Sequence, residues 1–227
     1  MGARSWRVAL GLVAAVHLLA QLLGAHTLAS GTQVLLVPAL AGWVWSAGVL
    51  PPRAGSTRAY AAALLLSWVG DSLPRLLDGD ASFVAMVTSF LLAQVSLVTA
   101  YLLLVRRWPS LPVMVAYLVA FGVLYFLCAP TTGDLLVLVA AYGLLLVIAG
   151  ALSSTVSLVT GIGGALFVLS DAMIALQRFL PAYQVPQHDF LVMLTYIAAQ
   201  VLIAYGLLRH HRARPTGTSR RTVRATE

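Results

Sequence analysis

The sequence predicts an all-α integral membrane protein of eight transmembrane helices, and two observations carry that prediction. Of its 227 residues, 60% are hydrophobic and only 9% are charged, whereas a soluble domain carries about a quarter charged residues. The apolar residues also gather into runs of roughly 20, the length that crosses a bilayer core as a helix. Short stretches rich in Pro, Gly, Asp and Arg separate these runs.

In order, the spans read 7–27, 33–50, 58–77, 82–105, 111–129, 134–152, 156–178 and 189–208. The breaks are "PPRAGS" at 51–56, "DGD" at 78–80, "RRWPSLP" at 106–112, "APTTGD" at 129–134 and "PAYQVPQHD" at 181–189. The break "GALSSTVS" at 150–157 is the weakest. A basic start and small residues at its end also let the first span be read as a cleaved signal peptide, though His17 and Gln21 make it polar for one. From residue 209, "RHHRARPTGTSRRTVRATE" has the composition of a disordered, basic tail.

The charges test this arrangement. With both termini cytoplasmic, Arg4, Arg7, Arg53, Arg58, Arg106, Arg107 and the six arginines of the tail all lie inside, twelve of the fourteen cationic residues. Asp78, Asp80, Asp134 and Asp189 all fall outside. That asymmetry is the positive-inside rule, and it accounts for the net charge of +7 without a nucleic-acid partner.

The single cysteine, Cys128, excludes an internal disulfide framework and a Cys-based metal cluster; in an apolar helix it serves as a small hydrophobe. His17 and His26 lie in or near the first span, His188 in a loop, and His210 and His211 in the tail, with no metal-ligand spacing inside the spans. No metal or cofactor is expected. There is no nucleophile elbow, P-loop or dinucleotide fingerprint, and "VTGIGG" at 159–164 reads as close helix packing. The third and seventh spans each place Asp after a small residue, Gly70-Asp71 and Ser170-Asp171. The fourth and eighth each carry Ala-Gln-Val, at 93–95 and 199–201. Matching features four helices apart fit two parallel four-helix repeats.

These residues form the polar constellation. At the helical rise, Asp71 and Asp171 lie roughly 20 Å from the inner ends of their spans, and Gln94 and Gln200 roughly 17 Å from the outer ends. All four fall between the midplane and the outer third. A charge at that depth costs a few kcal/mol on insertion scales and faces a bundle interior or water. Asp71 and Arg75 could form a self-neutralising i,i+4 pair, and Asp171 could be a protonated group bonded to a neighbouring helix. Alternatively, both carboxyls face one pocket. Gly163, Phe167, Asp171, Ile174 and Arg178 share a helical face, and Pro74 is placed to break the last turn near Asp71. Gln94 and Gln200 could equally bond helix to helix. Tyr117, Tyr125, Tyr196 and Tyr205 could line a lipid cavity or anchor at the interfaces.

At "SWVGDSL", "GALFVLSDAMIALQRF" and "LTYIAAQVLIAYGLL" the chain resembles the YhhN-like family of membrane proteins, which includes the lysoplasmalogenases. The resemblance spans about residues 30 to 208 and is most specific at Ser170-Asp171 and at Tyr196-x-x-x-Gln200. It implies an eight-helix membrane fold and hydrolysis of the vinyl-ether bond of lysoplasmalogens to a fatty aldehyde and a glycerophospho-base. The chain departs from the family's pattern at Val37-Pro38, where Lys-Pro is usual. It departs again at Gln94 and Leu97, where a His followed by a Tyr is usual. On this resemblance Asp71 and Asp171 are the expected catalytic pair, one carboxyl donating a proton and the other acting as an anion. Gln94, Gln200, Tyr196 and Ser170 would hold water or the glycerol oxygens, and Arg75 and Arg178 the lipid phosphate. The expected partners are a lysophospholipid or other lipid and the bilayer. The expected location is the plasma membrane of a bacterium. The alternative is a transporter or lipid-binding protein of the same fold; a purely structural membrane protein is the third reading.

Overall fold

The computed structural model describes residues 2–48 and 54–213. Arg53 and the tail beyond residue 213 lie outside the described residues. The regular structure of the described residues is all helical: α1 (Ala3–Leu22), α2 (His26–Ser46), α3 (Gly55–Ser72), α4 (Gly79–Val105), α5 (Leu111–Thr132), α6 (Leu136–Val156), α7 (Leu158–Phe179) and α8 (His188–Ala213). Short 3-10 turns follow α3 at Leu73–Leu76 and join α5 to α6 at Gly133–Leu135.

Among the described residues, six helical stretches are long and apolar enough to cross a membrane: Ala3–Leu22, His26–Ser46, Gly79–Val105, Leu111–Val156, Leu158–Phe179 and His188–Arg212. The fourth takes in both α5 and α6. α3 is not among them; Ser56, Thr57, Arg58, Ser67 and Asp71 make it the most polar of the long helices. The outward surface carries many large apolar side chains, with Leu12, Phe126 and Val137 all well exposed. A bundle apolar both inside and out belongs in lipid, and the chain is a multi-pass integral membrane protein.

Several boundaries differ from those read in the sequence. α2 begins at His26, where the sequence suggests 33, because the polar stretch "HTLASGTQ" is satisfied by helix contacts and does not need water. The His17 ring on α1 bonds through Nδ1 to the Ala29 carbonyl at 3.1 Å and to the Thr32 hydroxyl at 3.0 Å. α8 continues to Ala213, so residues 209–213, assigned above to the tail, are helical.

Two local features set the site's geometry. Pro38 lacks the N–H that would bond the Val34 carbonyl one turn earlier; the Trp68 indole of α3 donates to that carbonyl at 3.0 Å and locks α3 against α2. The α-helical part of α3 ends at Ser72 and gives way to the 3-10 turn holding Pro74. On α7, Gly163 and Gly164 let two neighbours close in. A Cβ on Gly163 would lie 3.0 Å from the Ala199 carbonyl of α8, and one on Gly164 would lie 3.1 Å from the Gly150 carbonyl of α6. α7 is thereby wedged between α6 and α8, and the core closes around Leu40, Leu64, Leu97, Tyr101, Phe167 and Ile203.

Candidate functional site

The two aspartates sit on α3 and α7, and each is held by a tyrosine. The Tyr196 hydroxyl of α8 donates to Asp71 Oδ2 at 2.7 Å, and Gln200, one turn along α8, donates to the same hydroxyl at 3.2 Å. Gln33 of α2 donates to Asp71 Oδ1 at 3.1 Å. Asp71 is 5% exposed, so these two donors replace the water it would have outside the membrane. Arg75 does not pair with the Asp71 carboxylate. Its Nε donates to the Asp71 main-chain carbonyl at 3.0 Å, one of those freed where α3 ends, and its terminal nitrogen donates to Gln33 Oε1.

Asp171 accepts from the Tyr142 hydroxyl of α6. The Gln94 amide of α4 lies beside the same hydroxyl, with its Nε2 buried and without a hydrogen bond. Phe90, Phe167 and Tyr196 meet edge to face, with ring centroids 5.6–6.2 Å apart. Gly70 makes room for this cluster, since a Cβ there would stand 2.8 Å from the Phe90 ring. The small residue before Asp71 therefore serves packing. The one before Asp171 serves a joint: Ser170, 1% exposed, donates to the Val192 carbonyl of α8 at 3.0 Å. Its hydroxyl is thus turned to the backbone of α8.

Asp171 and Tyr142 stand in the wall of an apolar cavity enclosing about 870 Å³ of empty space, its mouth included. Phe83, Val87, Phe121, Leu136 and Ala175 are among the residues that line the rest. The cavity lies toward the end of the bundle that carries Asp78, Asp80, Asp134 and Asp189. At its rim Arg178 forms an ion pair with Asp80 and lies 5.3 Å from the centroid of Phe83, which meets Phe179 edge to face. Arg178 and Asp80 are 42% and 74% exposed, so the pair is open to exchange with another anion.

Of the residues singled out in the sequence, Asp71, Tyr196, Gln200 and Arg75 form one hydrogen-bonded group, and Asp171 and Gln94 meet at Tyr142. Arg178 stands at the rim and Ser170 behind the site. Sequence reasoning missed Gln33 and Tyr142. Gln33 was placed at a helix end; the period of α2 taken from His26 puts it two turns inside. Among the described residues, no three His, Cys, Asp or Glu side chains come together as a metal site needs.

Comparisons with known proteins place these contacts in a family. The sequence profile described as the YhhN family matches residues 28–207, a stretch that includes every residue of the two aspartate clusters. The human (Homo sapiens) lysoplasmalogenase TMEM86B is 32% identical over 180 residues, covering 77% of this chain and 73% of its own. No solved structure matches. The chain belongs to the YhhN family.

Proposed function

We propose that the chain is a membrane-embedded hydrolase of lysoplasmalogenase type, cleaving a vinyl ether to a fatty aldehyde and a glycerophospho-base. The observation that carries this reading is the placement of Asp171, backed by Tyr142, in the wall of an apolar cavity whose Phe90 packs on Tyr196, the residue that bonds Asp71. The cavity is lined almost entirely by apolar side chains, the surroundings a fatty chain requires. The relative's name supplies the bond type.

The chemistry needs a proton donor at carbon and an anion nearby. Asp171 faces the cavity and is the donor. Its proton goes to the vinyl carbon that does not carry oxygen, and the double-bond electrons form the new C–H bond. The carbon beside oxygen becomes an oxocarbenium ion. Asp71, held by Tyr196 and Gln33, is the anion that stabilises this cation. Water adds to the cationic carbon and its proton returns to a carboxylate. The resulting hemiacetal breaks its bond to the glycerol oxygen, leaving an aldehyde and an alcohol. Gln94 and Gln200 orient water or the glycerol oxygens. Arg178 lies seven residues beyond Asp171, roughly 10 Å along the helix, at a span that suits the phosphate of a lysophospholipid. The substrate phosphate takes the place of Asp80 on Arg178, and Arg75 supplies a second cation on the same side.

The bundle is read as eight crossings, with the ends of α1 and α8 on the cytoplasmic side; the joint lining of one pocket by Arg7 of α1 and Arg212 of α8 supports an even count. The shared Ala-Gln-Val and small-residue–Asp features support two parallel four-helix repeats. The test is release of aldehyde and glycerophospho-base in equal amounts from a lysoplasmalogen by the purified protein, beside an ester lysophospholipid as control. No product from a folded protein overturns the reading, and substrate-dependent proton flux in vesicles would favour a transporter instead.

A further inference from the structure

The carboxylate site leaves one built feature of the molecule unused. At the opposite end of the bundle Arg7 of α1, Trp43 of α2, and Tyr205, Arg209 and Arg212 of α8 line a pocket open to the surface. Three arginines from two helices line one space. Arg209 lies over the Tyr205 ring, 5.8 Å from its centroid, and Trp43 closes the wall, 8% exposed.

The sequence gives this cluster almost nothing to pair with. Residues 1–70, 81–133 and 190–226 contain no Asp or Glu, so α1, α2, the 106–110 turn and all of α8 beyond Asp189, in its first turn at the other end, lack a carboxylate side chain. The next acidic residue along the chain after Asp189 is Glu227. The last carbonyls of α8 offer partial negative charge to Arg209 and Arg212, but not an anion. Guanidinium forks match the oxygens of phosphate, and basic pockets between helices at a membrane face bind phosphorylated headgroups. Arg209 lies thirteen residues beyond Tyr196 on α8, roughly 20 Å along its axis. That distance separates the pocket from Asp71, and one glycerophosphate headgroup does not bridge it.

We propose that Arg7, Arg209 and Arg212 form a second anion site, which takes the phosphate of an anionic phospholipid headgroup at the membrane face where α1 begins and α8 ends. This stands whether or not the protein is a hydrolase. It is tested on the full chain in neutral detergent, by native mass spectrometry and thermal midpoint, with phosphatidylglycerol, phosphatidylcholine and inorganic phosphate as separate probes. The wild type should retain phosphatidylglycerol over phosphatidylcholine. The variant Arg7→Gln/Arg209→Gln/Arg212→Gln should lose that preference by about a hundredfold, a factor of about five per arginine. Stabilisation by phosphatidylglycerol and by inorganic phosphate alike would show that the phosphate is what the site reads. Stabilisation by the lipid alone would show that the acyl chains bind as well, and both results support the site. An equal loss in Arg106→Gln/Arg107→Gln, which lie outside the pocket, would reduce the effect to general surface charge and overturn the proposal. Preference appearing only in Glu227→Gln would assign the pocket to the chain's own tail and overturn it equally. Should the triple variant not fold, Arg7→Gln alone is expected to cost about fivefold, and wild-type binding in that variant refutes the site.

Discussion

Replacing Tyr196 by Phe removes one oxygen from the centre of the α3–α8 contact. That hydroxyl donates to Asp71 at 2.7 Å and accepts from Gln200 at 3.2 Å. A hydrogen bond to a charged group contributes about 1.5–3 kcal/mol, and the Gln33 bond to the other oxygen of Asp71, at 3.1 Å, survives the change. If Asp71 stabilises the cationic intermediate, losing one of its two donors lets the carboxylate turn and weakens that stabilisation. The expected result is a fall in kcat of roughly 10- to 100-fold, at about 1.4 kcal/mol per factor of ten. KM should stay nearly constant, because Tyr196 is not in the wall of the apolar cavity. The thermal midpoint should fall by a few degrees, at about 2–4 °C per kcal/mol for a chain of this length. The assay is aldehyde release from a lysoplasmalogen over a range of concentrations, with the midpoint measured on the same preparations. Turnover within twofold of wild type in a folded Tyr196→Phe protein would refute the role given to the Tyr196–Asp71 contact.

Other changes probe the cavity, its rim and the packing. Ala140→Phe puts a ring into the apolar cavity and should shift preference toward shorter chains, seen as a raised KM for long-chain substrate only. Asp80→Asn frees Arg178 from its exposed ion pair; since such pairs contribute about 0–1 kcal/mol, KM for a phosphate-bearing substrate should fall by no more than about fivefold, measured at low and high salt. Gly164→Ala would set a Cβ 2.9 Å from Ser153 Cβ, and overpacking of this kind destabilises by about 1–3 kcal/mol, read as a lowered thermal midpoint. Ser170→Ala removes the bond to the Val192 carbonyl and should cost about 1 kcal/mol of stability with turnover within twofold of wild type, since the hydroxyl points away from the cavity.

The all-helical, multi-pass membrane class was legible because a bilayer demands runs of about 20 apolar residues, and few sequences supply them by chance. Asp71 and Asp171 were legible for the opposite reason, as charges where charge is expensive. What sequence could not give was pairing. Asp71 and Arg75 stand one turn apart and read as an ion pair, yet α3 gives way to a 3-10 turn after Ser72, and the Arg75 side chain takes the Asp71 main-chain carbonyl instead. Tyr142, in "VAAYGLL", looks like any aromatic in a leucine-rich helix; only the packing of α6 on α7 brings its hydroxyl to Asp171. Gln33 was hidden by a helix start placed seven residues late, because the buried contact of His17 with Thr32 is invisible to hydropathy. The two departures from the family pattern also take on a structural meaning. Val37 is part of the buried core, 4% exposed, and Gln94 keeps a polar group beside Tyr142 and Asp171.

The central claim is that Asp171 delivers a proton to carbon, and hydrolysis in D₂O tests it most directly. Wild-type protein and the Asp171→Asn variant are given a lysoplasmalogen in D₂O, and the aldehyde is analysed by mass spectrometry beside free aldehyde held in the same buffer. The account predicts one deuterium at the carbon next to the aldehyde carbonyl in the wild-type product. It also predicts a loss of turnover greater than about a thousandfold in Asp171→Asn, in keeping with the contribution of a positioned acid. Aldehyde without that deuterium, or near-wild-type release by a folded Asp171→Asn protein, would contradict it.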